Sequence, residues 1–377
     1  MKTIRDIEHL EGVRVLVRAD LNVPMQDGKI TDDFRIRIVL PTISYLKERG
    51  AKVILIAHIE SSDGKNLSFK PVNERIVKLG MPCTFIEDYK IAHSYIEEKM
   101  KNGDVVLLEN LRFYEGEKNN DMAFARQLAS FGDMYVNEAF PSSHREHASI
   151  FSVPKLIPSY AGLQLEKEVE HLSRTFNPPR PFVFILNGAK FETKLPLLKK
   201  FLEIADTVFV GGALANDFFK QKGYELGTSL VSAGNIDLSQ YASNTKLLLP
   251  IDVMDEKKQI WLPEGFPKDG KIVDAGPKTM AMLKEKIAGA RFVLWNGTIG
   301  LYELGYNKGT EDLAKCIAEN TKRGLMSVVG GGDTVAALED MKLTQDFTFV
   351  SSGGGAMLDF LAKGTLPGIQ ALNGDNL

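Results

Sequence analysis

Short apolar runs rich in valine, isoleucine and leucine recur along the chain, each followed by a longer amphipathic stretch. This alternation constrains the fold more than any other feature. A strand that is apolar on both faces must be covered on both faces. Successive strand–helix units achieve this with a parallel sheet flanked by helices. Strands are expected at 13–17, 53–57, 83–86, 105–109 and 134–137, then at 182–186, 207–210, 247–250, 292–295, 326–329 and 348–351. The clearest helix is 35–49, with Thr31 and Asp32 placed to cap its start and Gly50 its end. At 377 residues the chain exceeds what one core comfortably serves, so two domains are expected. Between the halves, 162–176 has helical spacing (Leu163, Leu165, Val169, Leu172), and Asn177-Pro178-Pro179-Arg180-Pro181 stops it. A helix ended by prolines suits a rigid connector.

In open parallel sheets, ligands lie beyond the carboxyl ends of the strands. In the first half those ends are basic or polar: Asp20 and Asn22 after the first strand, His58 after the second, Arg112 after the fourth, and His144, Arg145 and His147 after the fifth. Arg35, opening the first helix, belongs to the same edge. Any one of these alone reads as a solvated loop residue. Four strand ends converging with arginine and histidine read as an anion pocket, since guanidinium forks match phosphate and carboxylate oxygens.

The second half uses glycine instead. Its strands run into Asn187-Gly188-Ala189-Lys190, Gly211-Gly212-Ala213, Asn296-Gly297-Thr298, Gly330-Gly331-Gly332-Asp333-Thr334 and Gly353-Gly354-Gly355. One such cluster is a tight turn. Five at successive strand ends let the backbone approach a polyphosphate, with helix N-termini turned towards it. Asp333 could hold Mg²⁺, and Lys190 and Lys194 could meet the group being transferred.

Other classes are excluded or weakened. There is no G-x-x-x-x-G-K-[ST] loop, no G-x-G-x-x-G after the first strand, and no Asp-Phe-Gly. A net charge of −3 argues against nucleic acid or an anionic membrane as partner. No run approaches the roughly 18 apolar residues of a membrane span. The opening MKTIRDIEHLEG lacks the apolar centre of a signal peptide, and Cys83 and Cys316 are far apart. The expected location is the cytoplasm.

VLVRADLNVP (15–24), DDFRIRIVLPTI (32–43), LLENLRF (107–113), NEAFPSSHREHAS (137–149), NGAKFETK (187–194), WNGTIGLYE (295–303), VGGGDTVAAL (329–338) and SSGGGAML (351–358), in this order, resemble the phosphoglycerate kinase family along essentially the whole chain. The resemblance implies an α/β architecture of two Rossmann-like parallel-sheet domains joined by a helix hinge. It implies a 3-phosphoglycerate domain at 1–160, an interdomain helix at 161–177, a Mg-ATP or Mg-ADP domain at 178–365, and a final segment, 366–377, returning to the first domain. The implied reaction is reversible phosphoryl transfer between ATP and the carboxylate of 3-phosphoglycerate, a step of glycolysis and gluconeogenesis, carried out by a monomer. By motif position, Asp20, Asn22, Arg35, His58, Ser61, Arg112 and Arg145 fall on the acceptor. Gly188, Lys194, Gly212, Asn296, Glu303, Gly331, Gly332, Asp333 and Thr334 fall on the nucleotide, with Asp333 the metal ligand. Arg35, Lys190, Lys194, Gly332 and Gly355 fall on the transferring group. The sequence departs from the family pattern in three places. Leu-Gly-Arg-Pro after the histidine is Ile59-Glu60-Ser61-Ser62, so a phosphate-binding arginine is replaced by Ser61. Gly-Gly-Ala-Lys is Asn187-Gly188-Ala189-Lys190, and Ser-Asp-Lys is Glu192-Thr193-Lys194. The alternatives are a non-catalytic nucleotide-binding homologue and a kinase for a different small acid.

Overall fold

The computed structural model describes residues 1–61, 63–189, 191–232 and 237–373. They form two compact units: Met1–Glu170 with Lys363–Leu377, and His171–Ala362.

The first unit is built on a six-stranded parallel sheet, in the spatial order Thr84–Ile86, Val105–Leu108, Lys52–Ile56, Arg14–Ala19, Met134–Glu138 and Ser159–Ala161. Val15, Val17, Val53, Leu55, Val105, Leu107 and Val136 are buried in one core with the helix residues Ile36, Val39, Ile43 and Leu46. The four central strands are those whose carboxyl ends carry the basic residues. Ser159–Ala161 was not expected, because three residues beginning with serine give no apolar run.

The helix Phe34–Glu48 starts differently from the sequence reading. Asp32 Oδ1 accepts from Phe34 N at 2.8 Å, but Thr31 Oγ1 donates to Pro24 O at 3.2 Å and so does not cap. Asp33 occupies the cap position without a cap bond, because its carboxylate is held by Arg37 and Arg75 at 2.6 and 2.5 Å. Gly50 follows the helix at φ +78°, a left-handed turn that suits glycine.

The helix Leu163–Ser173 begins on a buried carboxylate. Glu138, at the end of a central strand, accepts from Gln164 N at 3.0 Å, from Leu165 N at 3.4 Å and from Thr42 Oγ1. Burial outweighs these donors and pushes Glu138 up to about 7. Near the end of the described chain, Pro367–Gln370 packs inside the first unit. There Gly368 N donates to Ser143 O at 2.8 Å, and Asn137 Nδ2 donates to Gly368 O at 3.4 Å.

The second unit also has a six-stranded parallel sheet: Leu247–Leu248, Thr207–Val210, Phe182–Leu186, Phe292–Asn296, Met326–Gly330 and Phe349–Val350. Counted along the chain, that order is 3-2-1-4-5-6, the arrangement of dinucleotide-binding sheets. Its switch point lies between Phe182–Leu186 and Phe292–Asn296, which pair directly. A three-stranded antiparallel sheet, Ile260–Trp261, Val253–Asp255 and Ile272–Ala275, was missed by the sequence reading. Its strands are two to four residues long and separated by charged stretches such as Glu256-Lys257-Lys258, so no periodicity shows.

Candidate active site

The first unit gathers its cations at the carboxyl edge of the sheet. Arg35 Nη1 donates to Asp20 Oδ2 at 2.9 Å, while Asp20 Oδ1 is buried with no hydrogen-bond partner. His58 is 3 % exposed, and its Nδ1 accepts from Arg18 Nη2 at 2.8 Å. That bond places the ring proton on Nε2. Burial, with Arg18, Arg112 and Arg145 adding to it, holds His58 well below its usual range, so the ring is neutral. Arg18 is fully buried and reaches Glu117 only through Ser149 Oγ, which accepts from Arg18 Nε at 2.8 Å and donates to Glu117 at 2.7 Å. Arg112 Nη1 lies 3.4 Å from His147 Nδ1. Burial beside Arg112 and Arg145 lowers His147 to about 3. Asn22 Oδ1 accepts from Glu60 N at 3.1 Å, which ties the first strand end to the loop after His58. Asp20, Asn22, Arg35, His58, Arg112 and Arg145 therefore share one basic edge. Ser61 does not join them: its Oγ bonds to Asp63 and to Lys65 within its own loop.

The second unit has a glycine-lined cradle at its switch point, and Gly188, Lys194, Asn296, Gly331, Gly332, Asp333, Thr334 and Gly355 all line it. Gly332 and Gly355 open the helices Gly332–Asp340 and Gly355–Lys363, so free N–H groups face the cradle. Lys194 Nζ donates to Asn187 O and to Asn296 Oδ1, the latter at 2.7 Å. Asn296 Nδ2 donates in turn to Gly330 O at 2.9 Å, and Gly297 N donates to Thr334 Oγ1 at 3.0 Å. Burial lowers Lys194 to about 8, opposed by Asp333. Gly188 sits at φ +130°, and a Cβ there would come within 2.8 Å of Lys194 Nζ, so only glycine leaves the ammonium its place. Lys190 lies outside the described residues.

Beside the cradle, an apolar cavity is lined by Ala215, Phe219, Pro250, Val253, Ile299 and Leu301, and also by Gly212. Asn216 and Asp274 are the polar members of its lining. Of the expected residues only Gly212 lines it. Part of its wall, Val253 and Ile272–Ala275, comes from the antiparallel addition, where no sequence signal stood out; much of the rest comes from the helix Ala213–Gln221 and from Ile299 and Leu301. Glu303 stands apart on the exposed turn Tyr302–Leu304, two residues beyond Leu301. Lys118, which meets Glu60 at the basic edge, was also missed. Glu60 was marked by the departure at 59–62.

The arrangement offers guanidinium groups and a neutral imidazole for an anionic acceptor, and a lysine with helix N-termini for a polyphosphate. No helix among the described residues is long and apolar enough to cross a membrane. The phosphoglycerate kinase family model matches residues 4–364. The chain is 42 % identical to the phosphoglycerate kinase of Dictyoglomus turgidum, covering 98 % of each, and 41 % identical to that of Thermosipho africanus, covering 98 % of this chain and 97 % of the other. The structure of the phosphoglycerate kinase from Coxiella burnetii superposes with a TM-score of 0.86 at 35 % identity, covering 98 % of each chain. That from Pyrococcus horikoshii gives 0.87 at 31 %, covering 99 % of this chain and 98 % of the other. A match of this extent, in sequence and in fold, makes the chain a phosphoryl-transferring enzyme that belongs to the phosphoglycerate kinase family.

Proposed function

We propose that the chain transfers the γ-phosphoryl group of ATP, reversibly, to the carboxylate of 3-phosphoglycerate. The basic edge of the first unit takes the acceptor, and the cradle of the second takes the nucleotide phosphates. The observation that carries this reading is the cradle, where a desolvated lysine, one carboxylate and two helix N-termini converge at a topological switch point. The adjoining apolar cavity suits adenine.

The acceptor is a carboxylate, already ionised at neutral pH, so no general base is required. The neutral His58 serves instead as a hydrogen-bond donor through Nε2. Asp20 Oδ1, buried and unpaired, is an acceptor matched to the acceptor's hydroxyl group. The transferring group is metaphosphate-like, so catalysis is positioning and charge stabilisation. Arg35 and Lys194 supply positive charge to its equatorial oxygens, and the N–H groups at Gly332 and Gly355 add hydrogen bonds. Lys190 joins them by motif position. Asp333 suits Mg²⁺, an ion that takes one or two carboxylates together with phosphate oxygens and water. When bound, the ion neutralises nucleotide phosphate charge. Glu303 is assigned to the nucleotide by motif position. The unpaired Cys83 and Cys316 support a cytoplasmic location, and the family resemblance implies a monomer.

A coupled assay tests the reading. ATP consumption should require 3-phosphoglycerate and fall to background with unphosphorylated glycerate. Nucleotide binding without turnover on any small acid would instead favour a non-catalytic homologue.

A further inference from the structure

The loop after His58 sends an anion into the basic edge. Glu60 Oε1 lies 3.1 Å from Arg112 Nε and 3.1 Å from Lys118 Nζ. The Arg112 side chain is 1 % exposed and that of Glu60 24 %. The contact with Arg112 is close but poorly directed: Arg112 Nε is buried without a hydrogen-bond partner. The carboxylate therefore neutralises the guanidinium and leaves its N–H unsatisfied. The backbone of Glu60 is fixed, by its N–H to Asn22 and by a bridge to Asn66. Its side chain alone is free to turn towards solvent. No cation of this loop takes its place, because Lys65 pairs with Asp63 at 2.6 Å and is 79 % exposed.

We propose that Glu60 is an internal competitor for the acceptor's phosphate group: its carboxylate holds Arg112 and Lys118, and phosphate binds by displacing it, which makes Lys118 a phosphate-binding residue. This rests on the assignment of the basic edge to a phosphate-bearing acceptor. A phosphate monoester carries nearly two charges at neutral pH and three acceptor oxygens, against one charge on a carboxylate. It can satisfy the Arg112 N–H that Glu60 leaves unpaired, so the exchange is favourable. A singly charged acid brings no such surplus and is turned away. Glu60 thus sets selectivity for a dianionic group and lowers affinity for it.

The test is calorimetric titration at fixed ionic strength, with inorganic phosphate and 3-phosphoglycerate as separate probes, on the full chain. Glu60→Gln keeps the shape and removes the charge, and Glu60→Ala serves as a second variant should the first not fold. Both should bind either probe about two- to fivefold more tightly, the scale of a single ion pair, with the KM for ATP unmoved. Adding Lys118→Met to Glu60→Gln should reverse the gain. Unchanged or weaker phosphate binding, with normal turnover of 3-phosphoglycerate, overturns the proposal and leaves the kinase reading standing. Tighter phosphate binding without any turnover of 3-phosphoglycerate supports the competitor role while removing the acceptor assignment.

Discussion

Lys194 stands out among the cradle residues of the second unit for its shifted proton affinity. Burial lowers it from 10.5 to about 8 in the folded protein. Between those values the unfolded chain binds the proton and the folded chain does not, so stability rises with pH across that window. Below pH 8 the folded protein bears the full cost of a desolvated ammonium. Lys194→Met should therefore melt higher than the parent at pH 7, with the difference shrinking towards pH 10.5, while turnover collapses. In the parent, kcat/KM for ATP, which reports the free enzyme, should decline as pH rises through about 8. Lys194→Arg should be slow but lack that descending limb, since guanidinium stays charged. Arg35→Ala should cost at least ~100-fold in turnover with nucleotide affinity near normal, because it removes charge that acts on the transferring group. A rate close to the parent's would remove Arg35 from its role. These residues were legible because each stands just past a strand or at the start of the next helix, where side chains must face the ligand edge. The orientation of Glu60 was not legible. Whether it turned to solvent or inwards depended on Arg112 and Lys118, more than fifty positions along the chain, and on Asn22 holding its backbone.

The helix Leu163–Ser173 shows how one buried acid anchors an element. Glu138 is about 7 in the folded protein and near 4.5 otherwise, so the native state holds an extra proton between those values. Its contribution to stability is present below pH 4.5 and declines as pH rises towards 7. Glu138→Gln should flatten the pH dependence of the urea midpoint across that window, and an unaltered slope would show that another group sets it. Gly162→Ala places a Cβ against the same carboxylate, and overpacking of this kind should cost about 1–3 kcal/mol. At this scale the alternation of strands and helices could be read because the strands of a doubly covered sheet are unbroken apolar runs. The antiparallel addition could not. Val253–Asp255 and its partners owe their pairing to one another and to a small core around Phe219 and Phe266, not to any pattern of their own. The part of the cavity wall formed by Val253 and Ile272–Ala275 stayed hidden with them.

Across the whole molecule, the residues proposed for the acceptor belong to one compact unit and those proposed for the nucleotide to the other. On the proposed reaction, both ligands together must bring the halves into register and exclude water. Small-angle scattering should give a smaller radius of gyration with both ligands than with either alone, and superimposable curves would sink that requirement. The first unit is also discontinuous in sequence, since Gly368 is fastened to Ser143 only after all of His171–Ala362 has intervened. Ribosomes add about 5–20 residues per second, so the nascent amino-terminal half waits on the order of ten seconds or more for its last piece. The unit begun first is therefore finished last. During that interval the surface around Ser143 and Ile150 that receives Gly368 stays open on the growing chain.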